Sequence, residues 1–217
     1  MKGYRLSILR HGMTEANEKG IYIGKTDLPL SDKGAAQLAA KMDSLDYPTV
    51  HRVYSSPLKR CIETAEILFP ETELSIVDDL RELDFGIFEN KSVDELINNE
   101  EYLKWIKGGK DTRPPQGESL EEMTARTYKA LHGIIIDMMN SGITHCAVIT
   151  HGGIISNMLS CYAIPKYNPT DLTADFGEGF DAIATAQMWL NSQAVELLGY
   201  CPYEKIEESD LDTLFNF

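Results

Sequence analysis

The sequence predicts an α/β fold, a three-layer sandwich with a mostly parallel central sheet, helices on both faces and a small helical cap insertion. Three observations lead there. Two apolar, β-branched runs, residues 4–9 and 145–150, suit strands buried on both faces. Shorter runs of the same kind alternate with stretches of helical period, the order of a parallel sheet covered by its crossovers. No run reaches the eighteen apolar residues that a membrane helix needs.

Taken in order, residues 4–9 open the fold as a buried strand. Ser31 reads as an N-cap, and Leu38, Met42 and Leu45 form a helical stripe that stops before Pro48. Residues 51–54 form a short strand, and 57–68 a helix with Pro57 in its first turn. Residues 74–77 are another short strand, and 92–106 are amphipathic. Gly108, Gly109 and the Pro114-Pro115 pair break the chain before a long helix over 118–139. Residues 145–150 are the second buried strand, with a helix over 153–162. Residues 183–190 and 194–198, separated by Asn191-Ser192, suggest a hairpin. The tail over 202–217 is acidic with apolar residues interspersed.

At 217 residues with 43% hydrophobic content, one domain over 1–217 with a cap-like insertion at about 90–119 is expected. Lys and Arg number 20 against 34 Asp and Glu, for a net charge of −14. That balance argues against nucleic acid and anionic membranes as partners. It also means that an anion site must gather scarce cations, so each arginine near a candidate site is informative. Cys61, Cys146, Cys161 and Cys201 lack metal-ligand spacing, and Cys146 reads as a small buried hydrophobe. No metal and no cofactor is expected. The short apolar stretch before Arg10 is no secretory h-region, so a cytoplasmic protein, monomer or homodimer, is expected.

Two segments share one construction. Residues 7–9 run into Arg10-His11-Gly12, and 148–150 run into His151-Gly152-Gly153. Each delivers a histidine to the carboxyl end of a strand, where open α/β sheets bind ligands. The following glycine lets a ligand approach the backbone, and a helix amino end offers N–H donors to an anion. Either histidine alone is more often a hydrogen-bonded strand end; the pair, one preceded by arginine, favours function. In a third segment, Arg60 lies in the first turn of the helix after Ser55-Ser56-Pro57 and can reach back to grip phosphate oxygens. A fourth, residues 80–89, offers Glu82, Asp84 and Glu89 as equal candidates for a general acid.

Together these residues resemble the histidine phosphatase superfamily, the phosphoglycerate-mutase-like proteins. The resemblance runs through Arg10-His11-Gly12 with Thr14 and Asn17, Gly24, residues 27–31 and Gly34. It continues through Ser55 to Leu58 with Arg60 and Thr64-Ala65, then Leu80, Glu82, Gly86 and Glu89. Pro115, Gly117-Glu118-Ser119 with Arg126, and Thr150 to Gly153 complete it, over about residues 4–160. It implies that His11 is a nucleophile that becomes phosphohistidine. Arg10, Arg60 and His151 would form the phosphate pocket, with Asn17 as a further donor and Glu82 as the general acid. Two arginines and a protonated His151 would supply the charge that a metal otherwise brings.

Many relatives have Glu where this chain has Met13, an aromatic where it has Ala16, and Gly where it has Asn90. Met13 and Ala16 are expected to line the approach to the pocket. Met13, Tyr22 and Gly24 are the candidate substrate-binding positions, with Lys25 close by. The Glu-Arg-His-Tyr-Gly run and the extra length of glycolytic mutases are absent, which favours a hydrolase acting on a small phosphorylated metabolite, near the short bacterial and α-ribazole phosphatase-like branch. A mutase using the same phosphohistidine, and an idle phospho-ligand binder, are the alternatives. His51, His132 and His145 read as structural or solvated. Tyr102, Trp105 and Lys107 in the insertion read first as an aromatic core stripe, second as specificity determinants.

Overall fold

The computed structural model describes residues 2–205. The chain runs β1 (Gly3–Arg10), α1 (Glu15–Glu18), α2 (Asp32–Ser44), β2 (Leu45–Asp46), β3 (Arg52–Ser55), α3 (Lys59–Leu68) and β4 (Leu74–Ile76). It continues with α4 (Val93–Leu96), α5 (Glu100–Ile106), α6 (Leu120–Ser141), β5 (His145–Thr150), α7 (Gly152–Tyr162), β6 (Ala163–Ile164), β7 (Gly179–Thr185), α8 (Ala186–Ser192), β8 (Val195–Cys201) and β9 (Tyr203–Glu204). Seven strands form one sheet in the order β4-β3-β5-β1-β7-β8-β6. The pairings of β1 with β5, β5 with β3, β3 with β4 and β8 with β6 are parallel, and only β7 runs against its neighbours.

The strand sequence explains the layers. Successive residues of β5 point to opposite faces. Cys146 and Val148 join one core with Leu6 and Ile8 of β1, Leu131, Ile135 and Met138 of α6, and Ile155 and Leu159 of α7. Ala147 and Ile149 join the other with Leu9, Leu38 of α2, and Cys61, Ala65 and Leu68 of α3. Both faces of the central strands are therefore buried, and shortening any one of these leucines or isoleucines to alanine costs about 2–5 kcal/mol.

Helix starts follow their caps. The Ser31 side chain accepts from the Gly34 amide, as its place before the apolar stripe predicts. Ser119 and Glu122 form a reciprocal capping box that starts α6. Ser92 and Glu95 do the same for α4, and a second cap at Asn99 starts α5, so the amphipathic stretch over 92–106 is two helices rather than one. α3 begins at Lys59, which leaves Pro57 in the preceding turn rather than in the helix.

The hairpin expected after residue 183 is corrected. β7 and β8 do pair antiparallel, but residues 186–192 form α8 between them. Thr185 caps that helix by accepting from the Met188 amide, and Trp189 anchors it in the core with its indole N–H donating to His132 Nδ1 at 3.1 Å. His132 is therefore structural, as expected. So is His145: Ser7 Oγ donates to buried Asp181 at 2.6 Å, which leaves its oxygen to accept from His145 Nε2 at 2.9 Å. Of the acidic tail, residues 206–217 lie outside the described residues. No helix among the described residues is long and apolar enough to cross a membrane.

Candidate active site

Register brings the two histidines together. Arg10 at the end of β1 stands beside Thr150 at the end of β5, and the His11 amide donates to the Thr150 carbonyl at 2.9 Å. The next residue of each strand is thus delivered to one rim, with the His11 and His151 ring centroids 5.1 Å apart. β3 ends on the same rim, where Ser56 donates its amide to the Ile149 carbonyl.

His11 is 5% exposed and its tautomer is set by geometry. Nδ1 lies 2.6 Å from the Gly12 carbonyl, which can only accept, so Nδ1 carries the proton and Nε2 keeps a free lone pair. Burial, then the charges of Arg60 and Arg10, push its pKa down to about 3. His151 is fully buried, with Nε2 2.9 Å from Ser56 Oγ. Burial first, then His11, Arg60 and the other arginines, hold its pKa well below the usual histidine value. That direction favours the neutral ring until an anion brings negative charge to the pocket.

The cations are placed by the backbone. Arg60 is 1% exposed, and its two terminal nitrogens donate to the Thr26 and Gly24 carbonyls at 2.9 Å. Arg10 donates to the Ala174 carbonyl at 2.9 Å and stacks on Phe176, its guanidinium carbon 4.0 Å from the ring centre. Its Nε is buried without a partner. The sequence has seven arginines. Among the described residues Arg5, Arg52, Arg81, Arg113 and Arg126 pair with carboxylates; Arg10 and Arg60 do not.

The three carboxylates of the fourth segment separate cleanly. Glu89 accepts from the amides of Gly24, Lys25, Thr26 and Phe85, a clamp on the loop that holds Arg60. Asp84 pairs with Lys25 at 2.9 Å and accepts from the Gly86 amide. Glu82 accepts from the Leu83 amide at 2.9 Å and from the Gly153 amide at 3.3 Å. Burial raises its pKa above the usual carboxylic value despite those bonds and nearby Arg60. A β-carbon on Gly153 would lie 2.7 Å from Glu82 Oε1, so only glycine leaves room for the carboxyl there. Arg126 grips Glu118 with two bonds and donates to the carbonyls of Asp79, Arg81 and Glu82, which fixes the backbone that carries Glu82.

Asn17 accepts through its side-chain oxygen from the Thr14 amide and hydroxyl, so its amide nitrogen is the free end. Gly24 is packed so closely that a β-carbon would sit 1.8 Å from the Leu83 carbonyl oxygen. Met13 and Ala16 are buried, at 8% and 6% exposure, rather than lining an open approach. Tyr22 bonds Tyr102 through the hydroxyls at 3.0 Å and packs tilted against Phe85 and edge-to-face against Trp105, so the aromatic stripe is the core of the cap. Phe176 escaped sequence reasoning, and Ser56 and Thr64, whose hydroxyl receives the Gly12 amide, stood in the resembling motifs without a role, because each role is defined by a contact distant in sequence. Among the described residues, no three of His, Cys, Asp and Glu are grouped to hold a metal ion.

Comparison with known proteins agrees with this geometry. The family model for the histidine phosphatase superfamily (branch 1) matches residues 6–173. A protein of Escherichia fergusonii named probable phosphoglycerate mutase GpmB is 37% identical over 131 residues, 57% of this chain, which spans 60% of that relative's length. The adenosylcobalamin/α-ribazole phosphatase of Salmonella typhi is 29% identical over 206 residues, 88% of this chain and 98% of its own. The solved structure of α-ribazole phosphatase from Shigella flexneri superimposes with a TM-score of 0.75 at 22% identity, over 94% of this chain and all of that one.

Proposed function

This chain belongs to the histidine phosphatase superfamily, branch 1, and from that premise we propose that it is a metal-independent phosphomonoesterase acting on a small phosphorylated metabolite. The observation that carries the reading is the pair of carboxylate-free arginines, Arg10 and Arg60, flanking a neutral His11. Two fixed positive charges beside a nucleophile that bears none suit a phosphate dianion. In a molecule this acidic, that neither arginine is spent on a salt bridge is the more telling.

The His11 Nε2 lone pair attacks phosphorus in line while the ester P–O bond breaks. The leaving oxygen takes the proton of Glu82, which burial keeps available above the usual carboxylic range. Arg10, Arg60 and the Asn17 amide hold the equatorial oxygens. The arriving dianion makes protonation of His151 favourable, so that histidine gains its charge with the substrate. Glu82, now a carboxylate, draws a proton from water whose oxygen attacks phosphorus. The N–P bond breaks, its electron pair returns to Nε2, and inorganic phosphate leaves.

The test is phosphate release from an aryl phosphate in excess EDTA, together with trapping of the phosphoenzyme. Release that persists with chelator, and an acid-labile, alkali-stable label that vanishes in His11→Ala, are expected. Release abolished by EDTA, or labelling that survives the substitution, overturns the proposal. The name of the Escherichia fergusonii relative supports a second reading, return of the phosphoryl group to a phosphoglycerate. Conversion of 3-phosphoglycerate to its 2-isomer without phosphate release would favour it.

A further inference from the structure

A cavity of about 820 Å³ opens beside Glu82, with neither His11 nor His151 in its lining. Glu82 and Gly153 form one wall, while the first turns of α6 and the outer face of α7 form the others. Its size lies in the range of small-molecule sites. Neither arginine of the phosphate pocket lines it, so it is a separate compartment that shares only the acid and its glycine with the catalytic rim. A phosphoester held for in-line attack by His11 has its leaving oxygen at Glu82, and the rest of the alcohol must continue past that carboxyl.

The lining specifies what can follow. Leu83, Leu120, Met123, Ala125 and Pro169 make it largely apolar. Its acidic and basic side chains other than Glu82 are Asp111, Glu121 and the single ammonium of Lys110, with the Cys161 thiol beside them. An anionic alcohol would meet more negative than positive charge, and it would lose hydration against apolar walls. One polar side chain of the wall is fixed in orientation. Thr124 Oγ1 donates to the Leu120 carbonyl at 2.7 Å, so it receives the Asn157 side-chain nitrogen at 2.9 Å. That fixes the amide orientation and leaves Asn157 Oδ1 buried with no donor.

Resting on the phosphatase reading, we propose that this cavity takes the alcohol half of the substrate, and that this alcohol is uncharged with an apolar, ring-sized body. Phosphorylated hydroxy acids are thereby disfavoured by the leaving-group site, although their phosphate fits the catalytic pocket. The cap takes part through one loop: the Glu121 amide donates to the Lys110 carbonyl, which fastens the cap's exit to the first turn of α6 at the cavity wall.

The test compares two alkyl esters of similar leaving ability, 2-phenylethyl phosphate and 3-phosphoglycerate. Wild-type kcat/KM should favour the first by about tenfold or more, the scale at which a pocket rejects a misfit. Ser160→Trp, which fills the cavity from α7, should cut kcat/KM on the phenylethyl ester about tenfold through KM. The inhibition constant for inorganic phosphate should hold, which reports an intact catalytic pocket. Glu121→Lys should narrow the preference by improving turnover of 3-phosphoglycerate. Phosphate release that ignores both substitutions, or a wild-type preference for the hydroxy acid, overturns the cavity assignment while leaving the phosphatase reading intact. No phosphate release from any ester overturns both.

Discussion

Glu82, Asp84 and Glu89 lie within eight residues and look alike in sequence, yet their surroundings assign them three tasks. Glu89 spends its oxygens on backbone amides and Asp84 pairs with Lys25, so neither is placed to hold a transferable proton. Glu82 has its pKa shifted upward by desolvation beside the histidine rim. The resemblance to a known family singled out Glu82; the physical reason lay in contacts with Gly153 and Arg126 that the sequence does not display. The charge state of His151 was illegible for the same reason, since it depends on burial and on Arg60 arriving from another helix. Replacing Glu82 by glutamine removes the proton but keeps the shape. Turnover of alkyl phosphates should fall by about 10²- to 10⁴-fold, while esters with good leaving groups lose far less. The acid form is the active one for the first step, so wild-type activity on alkyl esters should decline as pH rises through the elevated pKa of Glu82. Glu82→Gln should lack that alkaline decline in kcat against pH. Equal losses on both ester types, or an unchanged pH profile, would mean the acid lies elsewhere.

Elements in this molecule are held in register by loops that cap or clamp one another across long sequence separations. The N-terminus of α3 has no cap from its own Leu58, but Asp27 accepts from the Lys59 amide at 2.7 Å. Earlier in that loop, Gly24 and Thr26 present carbonyls to Arg60, and Glu89 gathers the loop's amides. Arg60 is therefore aimed by a loop that Glu89 assembles. Glu89→Ala leaves several amides without acceptors, at a cost of about 1–3 kcal/mol for each that stays buried. The expected result is a lower melting temperature and a weaker inhibition by inorganic phosphate, with the alkaline limb from Glu82 retained. Phosphate affinity equal to wild type would show that the loop aims Arg60 without Glu89. Sequence reasoning located the strands and helices that periodicity and caps announce, among them β5 at its observed limits, the Ser31 start, and the long helix expected over 118–139 and observed over Leu120–Ser141. It missed α8 because a seven-residue helix anchored by one tryptophan has too little period to outweigh the β-rich residues around it.

At the scale of the whole molecule, a sheet that buries its strand ends also buries the histidines those ends carry, and this couples the catalytic design to acid stability. Unfolded histidine titrates near pH 6.5, whereas His11 in the fold stays neutral down to about pH 3. Between those values the unfolded chain binds the extra proton, so stability rises with pH across that window and is lost on acidification. His151 acts in the same direction, as does His145, whose pKa burial and the Arg5 charge also lower. Glu82 acts oppositely, because its raised pKa makes the folded state the better proton binder at the upper edge of the carboxylic range. Falling net negative charge on acidification likewise favours the compact state, so the total slope is a balance and only its histidine part can be isolated by substitution. For His11 alone, the passage from pH 7 to pH 5 costs about 2 kcal/mol, from 1.36 kcal/mol per pH unit below 6.5. That corresponds to roughly 4–8 °C in melting temperature for a chain of this size. His11→Asn keeps an N–H donor for the Gly12 carbonyl but cannot titrate. Calorimetric melting of the two proteins across pH 5–7 should give the steeper acid decline to wild type, by about that amount. Parallel curves would show that His11 reaches water and titrates normally, and a nucleophile so exposed could not owe its neutrality to the fold.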